Sequence, residues 1–243
     1  SLSRKSIYVR TTFTSQQKKV KQAVVNICGL GLYELSINGK KVGNSEFTPL
    51  ISDYDKSVWY NTYDVTTLLQ KGNNAIGVLL GNGFYNVQGG RYRKLLISFG
   101  PPTVRLQLTI HYEDGTSQTV ASDKTWKYDF SPVTFNCIYG GEDYDARQEQ
   151  KGWNMAKFND TLWNQVVVQE GPKGVLRPQI AAPVAIMEHY SPISATHLPD
   201  SLLAAASKST KRKVDASAIV LDMGQNLAGF PEITVKGKKG QTV

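Results

Sequence analysis

The sequence predicts an all-β protein built on an antiparallel β-sandwich of jelly-roll type. Short segments of alternating or continuous apolar residues recur along the chain, separated by turns rich in Gly, Asn and Asp. Two of these turns, Asn38-Gly39 and Asp114-Gly115, carry dipeptides that favour β-hairpins, because the turn needs positive φ at both positions. Helical sequence is scarce. This combination is typical of double-sheet antiparallel architectures.

The predicted elements follow one another at short intervals. The apolar periodicity predicts strands over residues 7–14, 21–30, 33–37, 58–63, 75–80, 104–112, 117–121 and 123–128. The continuous apolar run 75–80 is expected to be buried on both faces of a sheet. A single helical turn is predicted within 64–72, capped by Asp64 or Thr66 and ended by Gly72. Residues 155–163 are a second helical candidate.

Proline and glycine punctuation predicts three regions. Residues 1–170 form the sandwich, residues 171–183 a Pro/Gly linker that cannot hold a regular sheet position, and residues 184–243 the start of a second β domain. In that last region, 184–190, 218–222 and 230–235 read as strands and 201–214 as an exposed polar loop. Three or four strands are few for an independent sandwich, so we expect this second domain to be truncated.

The formal net charge of +8 does not point to nucleic acid. Most of the excess comes from two polar runs and aromatic residues do not interleave with them, as a single-strand-binding groove would require; the seven residues are Lys208, Lys211, Arg212, Lys213, Lys236, Lys238 and Lys239. No apolar run reaches the ~18 residues of a membrane span. We therefore expect neither nucleic acid nor membrane as a partner. No signal peptide is recognisable, which leaves the compartment open.

The two cysteines, Cys28 and Cys137, have no metal-ligand spacing. We expect two small buried residues, and a single disulfide bond stays open as the alternative. The three histidines are scattered, and no GxSxG nucleophile motif is present.

One tight acidic cluster is a candidate site. Glu142, Asp143 and Asp145 offer three carboxylates within four residues, which could supply oxygens to Ca²⁺. On a strand, Glu142 and Tyr144 share one face and the two aspartates the other, so a single ion would need a bulge. The alternatives are that Asp145 or Glu142 pairs with Arg147 or caps a turn, and that Glu142 and Tyr144 contact a saccharide.

A second candidate is the loop Gly81-Asn-Gly-Phe-Tyr85, which follows a buried strand. Asn82 offers an amide, and Phe84 and Tyr85 offer flat apolar faces; together these suit a sugar with one apolar face and paired hydroxyl groups. The alternative is an aromatic corner that fills the core. The following loop 86–94, which includes Arg91, is expected to be exposed and solvated, with contact to a substrate or a neighbouring domain as the alternative.

Glycoside hydrolysis needs two carboxylates held apart across a deep pocket, and the sequence offers no convincing pair. We therefore assign no catalytic residue to this chain.

An ordered set of motifs resembles the N-terminal region of bacterial α-L-rhamnosidases, glycoside hydrolase family 78. The matching residues are Asn38-Gly39, Val42-Gly43, Pro49, Asp53-Tyr54, Tyr60, Tyr63-Asp-Val-Thr66, Leu68-Leu69, Gly72, Asn74, Gly81-Asn-Gly-Phe-Tyr85, Glu113-Asp-Gly-Thr116, Gly141-Glu-Asp-Tyr-Asp-Ala-Arg147, Trp153, Trp163 and Leu221-Asp-Met-Gly-Gln-Asn-Leu-Ala-Gly-Phe230. Phe84 and Phe230 stand where the family often has Trp. The Trp-rich segment 152–163 resembles that of galactose-binding-like sandwiches, where it is structural.

The resemblance implies a non-catalytic accessory region of an inverting α-L-rhamnosidase. The catalytic residues of that family lie in a helical (α/α)₆ barrel, which is expected elsewhere in the same polypeptide. The implied substrate is a rhamnose-containing glycan of plant origin, with periplasmic or secreted localisation. Some sandwich modules of the family bind rhamnose through Ca²⁺. The chain would therefore buttress the barrel, bind sugar, or act as a stand-alone carbohydrate-binding or adhesion module.

Overall fold

The computed structural model describes residues 5–89, 91, 95–210 and 219–242. The chain divides into two compact units, Ser1–Ile186 and Met187–Val243. Each unit is described by itself below.

Unit 1 contains two main sheets, which confirms the predicted all-β sandwich. The first sheet has six strands in the order β15 (Asn164–Gln165), β12 (Lys127–Phe130), β1 (Ile7–Thr14), β7 (Asn73–Gly81), β3 (Leu32–Ile37) and β4 (Lys40–Lys41). The second has five, in the order β11 (Ser117–Ala121), β10 (Thr103–Tyr112), β2 (Val20–Leu30), β6 (Ser57–Asp64) and β16 (Val175–Pro178). All neighbours are antiparallel except β16, which pairs in parallel with β6.

Three short strand pairs complete unit 1 and lie outside the two main sheets. They are β5 (Ser45–Glu46) with β17 (Val184–Ala185), β8 (Asn86–Val87) with β9 (Ile97–Ser98), and β13 (Val133–Cys137) with β14 (Gly141–Tyr144). Single 3₁₀ turns span Thr66–Leu68 and Ala146–Gln148. The first confirms the helical turn predicted near residue 64, where Asp64 Oδ1 accepts a hydrogen bond from the Thr66 N–H at 2.9 Å.

The core lies between the two main sheets. On the six-stranded sheet, Val78 lies in register between Val9 of β1 and Leu35 of β3, and all three are buried. Alternating residues of β2 and β10 face them from the other sheet: Ala23, Val25, Ile27, Leu106, Leu108 and Ile110. Strand β7 is almost entirely buried, as its continuous apolar sequence predicts.

The β3–β4 hairpin forms where Asn38-Gly39 predicts it. Both residues have positive φ, 51° and 82°, as a type I′ turn requires. The buried Asn38 side chain donates to the Leu68 carbonyl (2.9 Å) and to Asn74 Oδ1 (2.8 Å), and it accepts from the Ala75 N–H (2.9 Å). The turn is therefore tied to the start of the central strand β7.

A long segment, residues 146–163, covers the outer face of the six-stranded sheet. The rings of Tyr8 and Trp153 stack with centroids 4.0 Å apart, above Gly77, where a Cβ would lie 2.7 Å from the indole. Arg10, whose side chain is fully buried, pairs with Asp160 and donates to the Met155 carbonyl at 2.9 Å. Residues 155–163 form turns, so the prediction of a helix there is wrong. Contacts to the sheet hold this segment, in place of helical hydrogen bonds between its own backbone groups.

The predicted linker is in part a strand. Residues 175–178 extend the five-stranded sheet, so the expectation that 171–183 cannot hold a regular sheet position is wrong. Pro178 is tolerated because β16 lies at the edge of its sheet. Strand β17 also pairs within unit 1, which therefore runs beyond residue 170, to Ile186.

Unit 2 contains the antiparallel pair β18 (Ser194–His197) and β19 (Ile219–Asp222), with helix α1 (Asp200–Thr210) between them. The loop predicted over 201–214 is thus wrong for its first ten residues, and the rest lies outside the described residues. Pro199, Asp200 and the Leu-Leu-Ala-Ala-Ala run that follows are favourable at a helix start. Residues 230–235 form no strand, against the prediction.

Several smaller predictions can be compared with the structure. Lys208, Lys236, Lys238 and Lys239 are exposed, as predicted for solvated runs, whereas residues 211–213 lie outside the described residues. Cys28 and Cys137 are buried free thiols. Within the part of the chain that the structure describes, the search for a helix long and apolar enough to cross a membrane finds none.

We predict that the Asp160→Ala substitution lowers the free energy of unfolding by about 3 kcal/mol, because it leaves the buried Arg10 guanidinium without its carboxylate. Urea unfolding followed by circular dichroism measures the change. The matched control is Asp53→Ala, which removes an exposed ion pair with Lys56 and should leave the midpoint nearly unchanged. Equal midpoints for wild type and Asp160→Ala would contradict a stabilising role for this pair.

Candidate functional site

The candidate site is formed by the β13–β14 hairpin, the loop that follows β7 and Arg91 from the segment between β8 and β9. We call it the hairpin surface and define it by Phe84, Arg91, Tyr139 and Asp143; Glu142 lies on the same hairpin but alternates with Asp143 along β14. Strand β13 connects its parts. Phe135 lies under the Arg91 guanidinium, whose carbon is 4.7 Å from the ring centroid, and Asn136 bonds to the loop at Asn82.

Asn82 does not lie on this surface. It is 2% exposed, its N–H donates to Asn136 Oδ1 (2.7 Å), and its side-chain amide donates to the Asn136 carbonyl (3.2 Å). Asn86 Nδ2 completes the network with a 2.7 Å bond to Asn82 Oδ1. Asn82 is therefore engaged in holding the hairpin against the loop, and its amide is shielded from any ligand in solution.

Tyr85 is also buried. Its ring packs edge-on against Tyr54 (centroids 5.0 Å apart) and stacks with Phe99 (5.7 Å), and its hydroxyl donates to the Phe99 carbonyl at 3.2 Å. Burial raises the pKa of Tyr85. This arrangement is the core-filling aromatic corner that sequence analysis gave as the alternative to a sugar contact.

Phe84 points to a different neighbour. Gly83, with φ 52°, makes the turn, and a Cβ there would lie 2.9 Å from the Leu32 backbone nitrogen, so glycine is required. Phe84 is half-buried and meets Tyr139 edge-to-face, with centroids 5.8 Å apart. Tyr139 is 46% exposed, at the tip of the β13–β14 hairpin. The two rings form a partly exposed aromatic pair.

The acidic cluster is divided among separate partners. Both carboxylate oxygens of Asp143 accept hydrogen bonds from Arg91 Nη2 across the surface. Asp145 caps the 3₁₀ turn and pairs with Arg147, whose Nε and Nη2 lie 2.7 Å from its two oxygens. That hydrogen-bonded guanidinium holds the pKa of Asp145 well below its usual range. This is the pairing and capping that sequence analysis weighed against a metal.

Glu142 and Tyr144 have different surroundings. Glu142 is exposed to solvent, yet the protein around its carboxyl group is enough to raise its pKa by desolvation. The Tyr144 hydroxyl makes a short hydrogen bond to Glu149, and desolvation together with that carboxylate raises the pKa of Tyr144. Of the three carboxylates in this cluster, Asp143 and Asp145 pair with arginines, and Glu142 has neither an arginine partner nor a capping role among the described residues.

The residues present do not fit a calcium site built from three carboxylates. Among the residues that the structure describes, no three His, Cys, Asp or Glu side chains gather as a metal would need. Asp143 and Asp145 would each have to leave a guanidinium to reach one ion. Ca²⁺ binding by Glu142, Asp143 and Asp145 therefore stays a prediction from the sequence, and no chemistry below depends on it.

Sequence reasoning missed Tyr139 as a member of the hairpin surface, and it gave contact of the Arg91 loop with a substrate or neighbouring domain only as the alternative. Arg91 was placed in a solvated loop, of which residues 90 and 92–94 lie outside the described residues. Tyr139 precedes Gly140-Gly141, a turn signal between two strand-like runs that could have placed it at a hairpin tip. Its proximity to Phe84 depends on pairing between residues more than fifty positions apart.

Fold and surface together define an antiparallel β-sandwich region with a partly exposed aromatic pair and a surface ion pair at one hairpin. The match to a known family is specific. Residues 18–188 match the α-L-rhamnosidase N-terminal domain, and residues 212–243 match the bacterial α-L-rhamnosidase concanavalin-like domain. The chain belongs to the α-L-rhamnosidase N-terminal domain family.

Individual relatives agree with this membership. An α-L-rhamnosidase of Formosa agariphila is 38% identical over 232 residues, covering 93% of this chain and 22% of the relative. The native α-L-rhamnosidase of Aspergillus terreus is similar in structure, with TM-score 0.75 and 34% identity over 79% of this chain and 22% of that one. The Streptomyces avermitilis α-L-rhamnosidase, solved with L-rhamnose, has TM-score 0.72 and 32% identity over 79% and 19%. The chain spans about a fifth of these relatives' length.

We predict that Asn82→Ala lowers the free energy of unfolding by about 1–3 kcal/mol, because the buried Asn86 Nδ2 and the Asn136 main-chain carbonyl each lose their hydrogen bond to the Asn82 side chain. Denaturant unfolding measures the loss. Asn26→Ala, which removes a more exposed bond to Thr62, is the control and should cost less. A larger effect in the control would contradict the structural role of Asn82.

We predict that Glu142→Gln stabilises the chain at pH 7. The folded-state pKa of Glu142 is raised, so the ionised form opposes folding, and stability falls as pH rises through that pKa. Well below it, Glu and Gln are both neutral and the two proteins should melt together. Thermal unfolding at pH 7 and pH 3 tests this, with the exposed Glu170→Gln as control. A difference that grows towards acid pH would show that the sign is wrong.

Proposed function

We propose that this chain is the N-terminal, non-catalytic region of an enzyme that hydrolyses terminal α-L-rhamnosides of plant polysaccharides or glycosides. The region supports the catalytic barrel of the same polypeptide and contributes a sugar-binding surface. The observation that carries the proposal is the family match over residues 18–188, combined with coverage of only about a fifth of curated α-L-rhamnosidases. The expected localisation, periplasmic or secreted, follows from the polymeric substrate.

The arrangement of carboxylates supports a non-catalytic role. An inverting glycosidase needs two carboxyl groups about 6.5–9.5 Å apart with a water between them. In the acidic cluster of this chain, Asp143 and Asp145 are neutralised by arginines. Glu142 lies opposite Asn136 in the hairpin, so the strand pairing does not supply it with a partner carboxylate. The chemistry is therefore assigned to the catalytic barrel.

The hairpin surface supports sugar binding. Phe84 and Tyr139 present partly exposed aromatic rings, the Arg91–Asp143 pair supplies charged hydrogen-bonding groups, and Glu142 lies on the same β13–β14 hairpin. A pyranose offers one apolar face and paired hydroxyl groups, which match such a combination. We therefore move the proposed contact from Asn82 and Tyr85, whose side chains are buried, to Phe84 and Tyr139, and keep Glu142 and Tyr144 as candidates beside them.

The ligand implied by the relatives is L-rhamnose, which is bound in the Streptomyces avermitilis structure. We predict saturable binding of L-rhamnose to this chain in calorimetric titration at millimolar sugar. Tyr139→Ala should weaken it by about tenfold, or about 1.4 kcal/mol, because it removes one ring of the aromatic pair. Tyr190→Ala, which removes a comparably exposed tyrosine in unit 2, is the matched control.

Repeating the titration with added Ca²⁺ tests the calcium prediction separately. An affinity that depends on Ca²⁺ and is lost in Asp143→Asn would restore the acidic cluster as a ligand set. No heat at millimolar sugar would contradict the binding surface and leave the supporting role. Hydrolysis of an aryl α-L-rhamnoside by the full-length parent protein tests the enzymatic part. Sugar binding by this chain without hydrolysis by the parent would favour a stand-alone carbohydrate-binding or adhesion module.

A further inference from the structure

A second surface of unit 1 carries exposed apolar side chains from two distant stretches of the chain. The loop after β5 contributes Phe47 and Ile51, and the stretch around β17 contributes Ile180, Val184 and Ile186. These side chains are 46–90% exposed. We call this set the Phe47 surface. It lies apart from the hairpin surface in the strand order, beside β6 and β16 of the five-stranded sheet.

Hydrogen bonds hold the two stretches in a fixed relation. In the β5–β17 pair, Glu46 lies opposite Val184. The Leu50 N–H donates to Gln179 Oε1 (3.1 Å), and the Trp59 indole N–H donates to the Ile51 carbonyl (3.3 Å). The two stretches that carry the exposed apolar side chains are therefore fixed next to each other.

The backbone at Phe47 is unusual. Its φ of 50° lies in the left-handed region, which aromatic residues rarely adopt. This cost is not offset by full burial of the ring, since 55% of the residue is exposed. Strained residues of this kind concentrate at binding sites, where the surrounding structure holds them for a contact.

Two lysines beside the Phe47 surface are paired with carboxylates. Lys41 pairs with Glu46 at 2.8 Å, and Lys56 pairs with Asp53 at 2.8 Å. An apolar centre with a paired polar rim is the anatomy of a protein interface. The net charge of +8 belongs to the whole chain. Beside this surface, Lys41 and Lys56 are both paired, so the surface suits an uncharged apolar partner.

We propose that the Phe47 surface is where this region docks onto the catalytic part of its parent polypeptide. The proposal rests on the proposed function above, and it adds the surface and its chemistry. The chain corresponds to 22% and 24% of two curated relatives, so most of their length lies in other parts that can cover an exposed apolar surface. A tethered partner binds at high effective concentration, and a small apolar contact is then sufficient.

Thiol labelling tests the proposal directly, because the native Cys28 and Cys137 are buried and give little background. Ile180→Cys is placed in the 243-residue chain and in the full-length parent, and its reaction with a maleimide is timed in both. Ile180 is 90% exposed, so the substitution should not disturb folding. We expect labelling at least about tenfold slower in the parent. Leu162→Cys is the matched control, because Leu162 is 96% exposed and lies beside β15, on the other sheet.

Equal labelling rates for Ile180→Cys in the two proteins would overturn the proposal. Equal slowing at both positions would also overturn it, since the contact would not then be specific to the Phe47 surface. Protection that rises with the concentration of the 243-residue chain would assign the surface to a second copy instead. Rhamnoside hydrolysis by the parent is measured in parallel, so failure of docking and failure of the proposed function are distinguishable.

Discussion

Unit 1 depends on a buried cation on the outer face of its six-stranded sheet. Arg10 lies on β1, between β12 and β7, with its side chain buried. The main-chain groups of the sheet are uncharged and cannot neutralise its guanidinium. Asp160, 150 residues away in the sequence, supplies the compensating charge, and the stacking of Trp153 on Tyr8 holds the same segment seven residues earlier. A buried charge without a partner is strongly unfavourable, so the segment 146–163 is bound to the sheet by an electrostatic requirement as well as by packing.

The segment that is held by Arg10 also supports the candidate site. The segment begins directly after Asp145, which caps the 3₁₀ turn that follows β14, so one end of the hairpin is anchored where the covering segment starts. The other end is anchored by Asn136, which bonds to Asn82 in the loop after β7. The hairpin is thus held at both ends by hydrogen bonds from its polar groups to other groups of the protein. Two of the polar residues that sequence analysis proposed as ligands, Asn82 and Asp145, build this support.

The strands of unit 1 were predictable because their signals are local. Alternation in β1, β2 and β10 and the Asn38-Gly39 turn each depend on neighbouring residues alone. Strand β16 was missed because Pro178 argues against a strand unless the position is known to be an edge, and edges are defined by the whole sheet. Helix α1 was missed although Pro199 and the alanine run favour it, because polar residues around it suggested a loop.

The site was harder to predict than the fold for a physical reason. An exposed Asn or Tyr in a Gly-rich loop is available to contact a sugar, whereas a buried one makes a structural hydrogen bond. The amino-acid composition of the loop does not show which of these two situations holds. Asn82 and Asn136 are 54 residues apart, and their pairing decides which neighbours face solvent. Once Asn82 and Tyr85 turn inward, the intervening Phe84 is left to meet Tyr139. The buried amide network and the exposed aromatic pair are therefore two results of one loop conformation, so the same loop that secures the hairpin also presents its candidate binding face.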